Sequence, residues 1–270
     1  MSSSSYQCVL ITGASSGLGA EFARQLAPVS DSLILVARRA ELLDEIAAEI
    51  KKETPDVCIH CLQSDLVDDD QRQAFLEAVH LLGLDPDLLI NNAGIGDYGD
   101  FVSSDWQKVE AMMRLNMETL THMTHAMLPG MISRRQGAVI NVSSLASILP
   151  IPDFAVYAAT KAYVTSFSEA LRIEMMEHGI RVLALCPGPV HTGFGQVAQR
   201  GEPTNVTPGG ESVYVDPKQV VREAIFALQN NKARHYPGSK IRLMAALMSS
   251  LPVWLMRRIM SRRPRRRASS

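Results

Sequence analysis

The sequence predicts an α/β fold: one doubly wound parallel-sheet domain with helices on both faces, followed by a C-terminal helical extension. Three observations predict it. Short β-branched or leucine-rich runs alternate with helix-compatible stretches. The strand-like runs are continuously apolar, as in Leu33-Ile34-Leu35-Val36, which suits a sheet covered on both faces. The first such run passes directly into a glycine-rich turn and then a helix-compatible stretch, so the alternation opens with a strand–turn–helix unit.

Taken in order, strands are expected at 9–12, 33–36, 57–62, 88–91, 138–142 and 181–185. Helix-compatible stretches lie between them at 19–26, 40–52, 70–82, a long one across 105–134, and 155–177. Strands that alternate with helices pair in parallel through right-handed crossovers. No internal repeat or interdomain linker interrupts the pattern, and a chain of 270 residues suits one large domain. The expected division is one α/β domain over 1–240 and an extension over 241–270. The Gly/Pro-rich stretch 201–210 is followed by another helical stretch at 217–229, so it reads as a loop inserted in the same domain, of the kind that often covers a site.

Composition narrows the function classes. A hydrophobic fraction of 46% with 20% charged residues is ordinary for a globular protein. Four cysteines, irregularly placed, do not make a disulfide scaffold. Residues 1–7 are polar and carry no basic-then-apolar signal, so a cytoplasmic location is expected. The net charge of −1 conceals an asymmetry: residues 240–270 hold nine Lys and Arg and no Asp or Glu. The rest of the chain is therefore acidic, which argues against a nucleic-acid partner. Only the tail suits an anionic surface.

The turn after the first strand reads Thr12-Gly13-Ala14-Ser15-Ser16-Gly17-Leu18-Gly19. Glycines let the chain turn tightly and bring backbone N–H groups, including those around Ser15, Ser16 and Leu18, close to a phosphate. The positive end of the following helix favours that anion. The spacing Gly-x-x-x-Gly-x-Gly is followed by Asn91-Asn92-Ala93-Gly94, Asn116, Ser143, Tyr157-x-x-x-Lys161 and Pro187-Gly188. In order and spacing this series resembles the short-chain dehydrogenase/reductase family over residues 6–240, near its long-chain 3-oxoacyl and hydroxysteroid-like branch. The resemblance implies a Rossmann dinucleotide site.

The second strand ends Val36-Ala37-Arg38-Arg39, with Ala37 where the family's NAD enzymes carry an aspartate. A guanidinium in place of a carboxylate suits a 2′-phosphate, so NADP(H) is expected, held there by Arg38 and Arg39. Asp65-Leu66 and Asn92-Ala93-Gly94 resemble the family's adenine-side contacts. Pro187, Gly188, Val190 and Thr192 resemble the segment that holds the nicotinamide amide.

Tyr157 and Lys161 are four residues apart in a helix-compatible stretch, so both side chains leave one face. A free tyrosine has a pKa of about 10, and a nearby ammonium lowers it. On the family's pattern Tyr157 protonates the carbonyl oxygen as hydride arrives. Lys161 holds the ribose hydroxyls and lowers the tyrosine pKa, Ser143 hydrogen-bonds the substrate oxygen, and Asn116 holds a water that links Lys161 to solvent. Cys58-Ile59-His60-Cys61 has CxxC spacing, but in a strand an offset of three puts the thiols on opposite faces. Packing positions are expected there, and no metal.

The substrate pocket is expected to use Leu145, Ala146, Ile148, Leu149, Ile151, Phe154 and Phe194, nearly all apolar and none charged. That composition suits a hydrophobic ketone, 3-oxoacyl or steroid-like, reduced to a secondary alcohol. Two other classes stand beside this reading: a catalytically silent NADP(H)-binding sensor, and an interaction protein acting through the basic tail. In the tail, 243–256 is uncharged but shorter than the about 20 residues a spanning helix needs. Subunit contact, pocket cover and peripheral membrane contact are its three open readings. The resemblance also implies a homodimer or homotetramer.

Overall fold

The computed structural model describes residues 6–200 and 213–261. The loop expected at 201–210 and the last five arginines lie outside the described residues. Strands β1 (Tyr6–Thr12), β2 (Ser30–Ala37), β3 (Cys58–Gln63), β4 (Leu88–Asn91), β5 (Gly137–Val142), β6 (Ile180–Leu185) and β7 (Arg234–His235) form one sheet. Its order is β3-β2-β1-β4-β5-β6-β7, and all neighbouring strands in it pair in parallel. The order reverses between β1 and β4, and ligand crevices in such sheets open at the strand C-termini beside that point.

Alternation along the strands divides the core into two layers. Val9, Ile11, Leu33, Leu35 and Ile90 face one layer; Leu10, Ile34, Val36, Leu89 and Val139 face the other. Both faces are covered, as the unbroken apolar runs require. The helices are α1 (Gly17–Leu26), α2 (Ala40–Glu53), α3 (Asp69–Leu81), α4 (Trp106–Met113), α5 (Leu120–Arg134), α6 (Ala155–Met175), α7 (Phe194–Ala198), α8 (Pro217–Gln229), α9 (Ser239–Ser250) and α10 (Val253–Met260). Ile241 and Ala245 of α9 join the same apolar layer as Val9 and Leu35, so the extension begins rooted in the core. Among the described residues no single helix is long and apolar enough to cross a membrane.

Three departures from expectation have physical causes. The helix expected across 105–134 is divided by a π-helical segment, Arg114–Thr119, between α4 and α5. The segment carries Asn116, whose side chain bridges to the loop after β4; π insertions of this kind occur often at functional sites. Strand β7 has no apolar run to announce it. It is fixed by register to Ala184 and Leu185, with Arg234 paired to Glu169 and His235 to Glu223. Packing accounts for Cys61 but not for Cys58. Cys61 packs against the core and burial pushes its thiol up to about 11, whereas Cys58 is exposed on the edge strand with Sγ 3.3 Å from Nε2 of His60.

Candidate active site

The C-terminal ends of β1, β4 and β5 open onto a cavity of about 490 Å³. At one end lies the turn between β1 and α1. Gly13 and Gly17 have φ of +65° and +56°, values that favour glycine. A Cβ on Gly19 would collide with the carbonyl oxygen of Gly13, and one on Gly13 would come within 2.9 Å of the Ala93 backbone. Asn92 locks the turn from β4: its Nδ2 donates to the carbonyls of Thr12 and Gly13 at 2.9 and 3.1 Å. The first N–H groups of α1 therefore face the cavity without intrahelical acceptors. This is a backbone cradle that only glycines permit.

Arg39 reaches over this cradle, its Nη2 donating to the hydroxyls of Ser15 and Ser16, both at 3.2 Å. Arg38 is exposed beside it and lines the same cavity. No carboxylate stands at position 37. Asp65 lines the cavity, and its Oδ1 accepts from Val67 N at 3.1 Å, an Asx turn that shapes the loop. Ala93, Gly94, Leu66, Pro187, Gly188, Val190 and Thr192 complete that wall. Every residue expected to bind the cofactor or act in catalysis lines the cavity, except Gly19 and Asn116.

Tyr157 and Lys161 project together from α6 into the other end. Tyr157 is buried, stacked on Phe154 with ring centroids 4.2 Å apart and tilted against Phe194 at 5.5 Å. Lys161 Nζ donates to the Val142 carbonyl at 2.8 Å and stands 5.7 Å from the Tyr157 ring centre. Burial pushes the Tyr157 phenol up to about 12, opposed by a hydrogen bond with Ser144. Burial also pulls Lys161 down to about 8. Desolvation of the charged form is the leading cause at both groups.

One site expectation is corrected by the geometry. Ser143 points away from the tyrosine: its hydroxyl donates to the Lys161 carbonyl at 2.8 Å and pairs with Thr165 at 2.7 Å. Adjacent residues leaving a strand point to opposite sides, so the neighbouring Ser144 is the serine on the Tyr157 side of the cavity, where it opposes the rise of the phenol's pKa. Asn116 is fully buried, and its side chain is used by the protein. Oδ1 accepts from Ile95 N at 3.0 Å, while Nδ2 donates to Ile95 O at 2.9 Å and to Thr160 at 3.0 Å. It pins the loop after β4 against α6.

Of the seven residues expected to line the substrate end, Phe194 lines the main cavity. Leu145 and Ile148 turn into the core instead, because the 3₁₀ turn Leu145–Ile148 directs them under α9. Ala146, Ile151 and Phe154 cluster around Tyr157. Ile95, Leu115 and Val197 supply the remaining apolar wall. Sequence reading missed the clasp that holds this wall. Asp97 is buried and ion-paired with Arg200, and Lys108 Nζ lies 3.0 Å from its Oδ1. The Arg200 guanidinium, ahead of Lys108, holds the Asp97 carboxyl below the usual carboxylate range. Tyr98 N donates to Ala198 O at 2.7 Å across the same seam, and a Cβ on Gly96 would sit 3.0 Å from the Phe194 ring.

Comparison with known proteins agrees with this geometry. The family model for short chain dehydrogenase matches residues 7–203. The chain is 29% identical over 256 residues to the very-long-chain 3-oxoacyl-CoA reductase of Homo sapiens, covering 91% of this chain and 76% of that protein. Among solved structures, a short-chain dehydrogenase from Sphingobium yanoikuyae in complex with NADPH superposes with a TM-score of 0.78 at 28% identity, covering 98% of each chain. The bulky-bulky ketone specific alcohol dehydrogenase of Comamonas testosteroni gives 0.76 at 27% identity, covering 98% of this chain and 96% of that one. The extent of the family match, laid over a doubly wound sheet with its cavity at the switch point, establishes that this chain belongs to the short-chain dehydrogenase/reductase family of oxidoreductases.

Proposed function

We propose that this chain is an NADP(H)-dependent reductase of hydrophobic ketones in which Tyr157 gives the proton and Ser144 orients the carbonyl. The observation that carries the reading is the cavity's polarity. One end is a backbone cradle with two arginines and no carboxylate at position 37; the other is a buried Tyr157–Ser144–Lys161 group inside an apolar wall. The cradle fits a dinucleotide phosphate because side chains at Gly13, Gly17 and Gly19 would fill or distort it. When bound there, NADPH supplies the hydride.

The chain's own groups do the rest. Arg39, already held on Ser15 and Ser16, and Arg38 beside it present guanidinium to a 2′-phosphate. The Ser144 hydroxyl and the Tyr157 phenol together donate to one carbonyl oxygen, polarising it and then protonating the alkoxide. Lys161 stands close enough to stabilise the phenolate left behind. Phe154, Phe194, Ile95 and Leu115 exclude water and accept an apolar ketone, either 3-oxoacyl or steroid-like. The activities named for the human and Comamonas relatives support that substrate class. Exposed Phe101, Val102 and Trp106 before and on α4, with Ile173 on α6, support a homodimer or homotetramer. The test is NADPH oxidation with a panel of long-chain 3-oxoacyl thioesters, steroid ketones and short polar ketones. Turnover confined to the polar ketones would overturn the substrate class.

A further inference from the structure

The described end of the extension leaves apolar surface in an unusual place. Helix α9 buries Ile241 and Ala245 and turns Leu243 and Leu247 outward, at 62% and 60% exposure. Helix α10 is apolar at six of its eight positions, yet none of its residues is buried. Trp254 is 66% exposed. A helix on a soluble body ordinarily turns a polar face to water; here the outward side carries apolar residues and arginine. The two helices meet at a bend of 117°, so they do not continue as one rod.

Charge selects the occupant. Residues 240–270 hold nine cations and no carboxylate, and α10 itself carries Arg257 and Arg258. A second copy of this surface would oppose cations to cations. An anionic lipid bilayer meets both features at once: its acyl boundary accepts the apolar side chains, and its headgroups pair with arginine. Tryptophan is the side chain most suited to that boundary.

We propose that α9 and α10, with Arg257 and Arg258, form a surface that docks on anionic membranes, lying in the headgroup plane without spanning it. Its place in the fold gives it a consequence for the site. Ile241 of α9 packs against Gly188, a residue of the cavity wall, where an added Cβ would fall 2.5 Å from Ile241 Cδ1. Docking therefore sets the cavity beside the lipid, and a ketone dissolved in the bilayer reaches it with a short path through water. This last step rests on the proposed ketone reductase activity; the docking itself does not.

The test is co-sedimentation of the full chain with vesicles of phosphatidylcholine alone or mixed with phosphatidylserine, at low and high salt. Binding is expected only to the anionic vesicles and is expected to fall steeply with salt. Each arginine near such a surface strengthens binding about fivefold, so Arg257→Gln with Arg258→Gln should weaken it about 25-fold. Leu247→Gln with Trp254→Gln should abolish the residue of binding that survives high salt. Both variants should keep the wild-type melting temperature and NADPH affinity, since the positions are exposed. Equal binding to neutral and anionic vesicles, or none to either, overturns the proposal. So does a dimer that dissociates in the Leu247/Trp254 variant while vesicle binding is unchanged, which would assign the surface to a second copy. Binding as expected with no turnover of any ketone would leave docking intact and refute the activity.

Discussion

Removing one hydroxyl from each of the adjacent serines should separate chemistry from stability. Ser144 lines the cavity beside Tyr157, so on the proposed mechanism Ser144→Ala removes a donor aimed at the developing alkoxide. Loss of one such donor costs about 10²–10³ in kcat. Its hydroxyl also caps Ala146 N at 3.1 Å, the loss of which costs typically about 1 kcal/mol. Ser143 is 2% exposed, and its hydroxyl serves the Lys161 carbonyl and Thr165. Ser143→Ala leaves those buried groups short of a partner, a penalty of about 1–3 kcal/mol. At about 2–4 °C per kcal/mol for a domain of this size, its melting temperature should fall by about 2–12 °C. The assay pairs steady-state ketone reduction, well below either melt, with thermal unfolding. Ser144→Ala should lose turnover with the smaller drop in melt, and Ser143→Ala should keep turnover with the larger. Loss of turnover in Ser143→Ala with near wild-type activity in Ser144→Ala would refute the assignment.

Three other outcomes follow from the same structure. Arg38→Ala and Arg39→Ala should each weaken NADPH more than NADH. A charge-assisted pair of about 1.5–3 kcal/mol shifts the preference about 10- to 150-fold, and equal losses for both cofactors in a fluorescence titration would make the arginines structural. Asp97→Asn should destabilise the protein at neutral pH. The folded-state pKa of Asp97 is depressed, so its contribution is full above the ordinary carboxylate value of about 4 and is lost as pH falls through the folded value. The gap between variant and wild-type melts should therefore close in acid; a gap constant with pH would contradict the ion pair with Arg200. Gly96→Ala should raise KM for bulky ketones more than it lowers kcat, because the new Cβ meets the Phe194 ring at 3.0 Å; a kcat loss at unchanged KM would count against a wall role.

The sheet and the cofactor end were legible because their causes are local. Apolar runs such as Leu33–Val36 must be covered on both faces, and Gly13, Gly17 and Gly19 sit where only glycine fits. What stayed hidden depends on direction or on distance along the chain. Ser143 and Ser144 are indistinguishable by residue type, and the one-residue difference in side-chain direction separates structure from chemistry. Strict alternation after β5 was the available signal. Arg200 and Asp97 are 103 positions apart, and no periodicity links them. Asn116 was legible as a site residue but not as a clamp, because its bonds run to Ile95 and Thr160. Strand β7 is two residues long and partly polar, so pairing with β6 makes it a strand where composition does not.

We propose that Tyr157 protonates a hydrophobic ketone in an NADPH-dependent reduction. The most direct measurement is single-turnover oxidation of NADPH with a bulky apolar ketone, comparing wild type with Tyr157→Phe, alongside NADPH binding by both. The substitution removes only the hydroxyl from a ring held between Phe154 and Phe194. NADPH affinity should therefore stay the same while the rate falls by about 10²–10⁴. A Tyr157→Phe enzyme that binds NADPH and reduces the ketone at the wild-type rate would contradict the account.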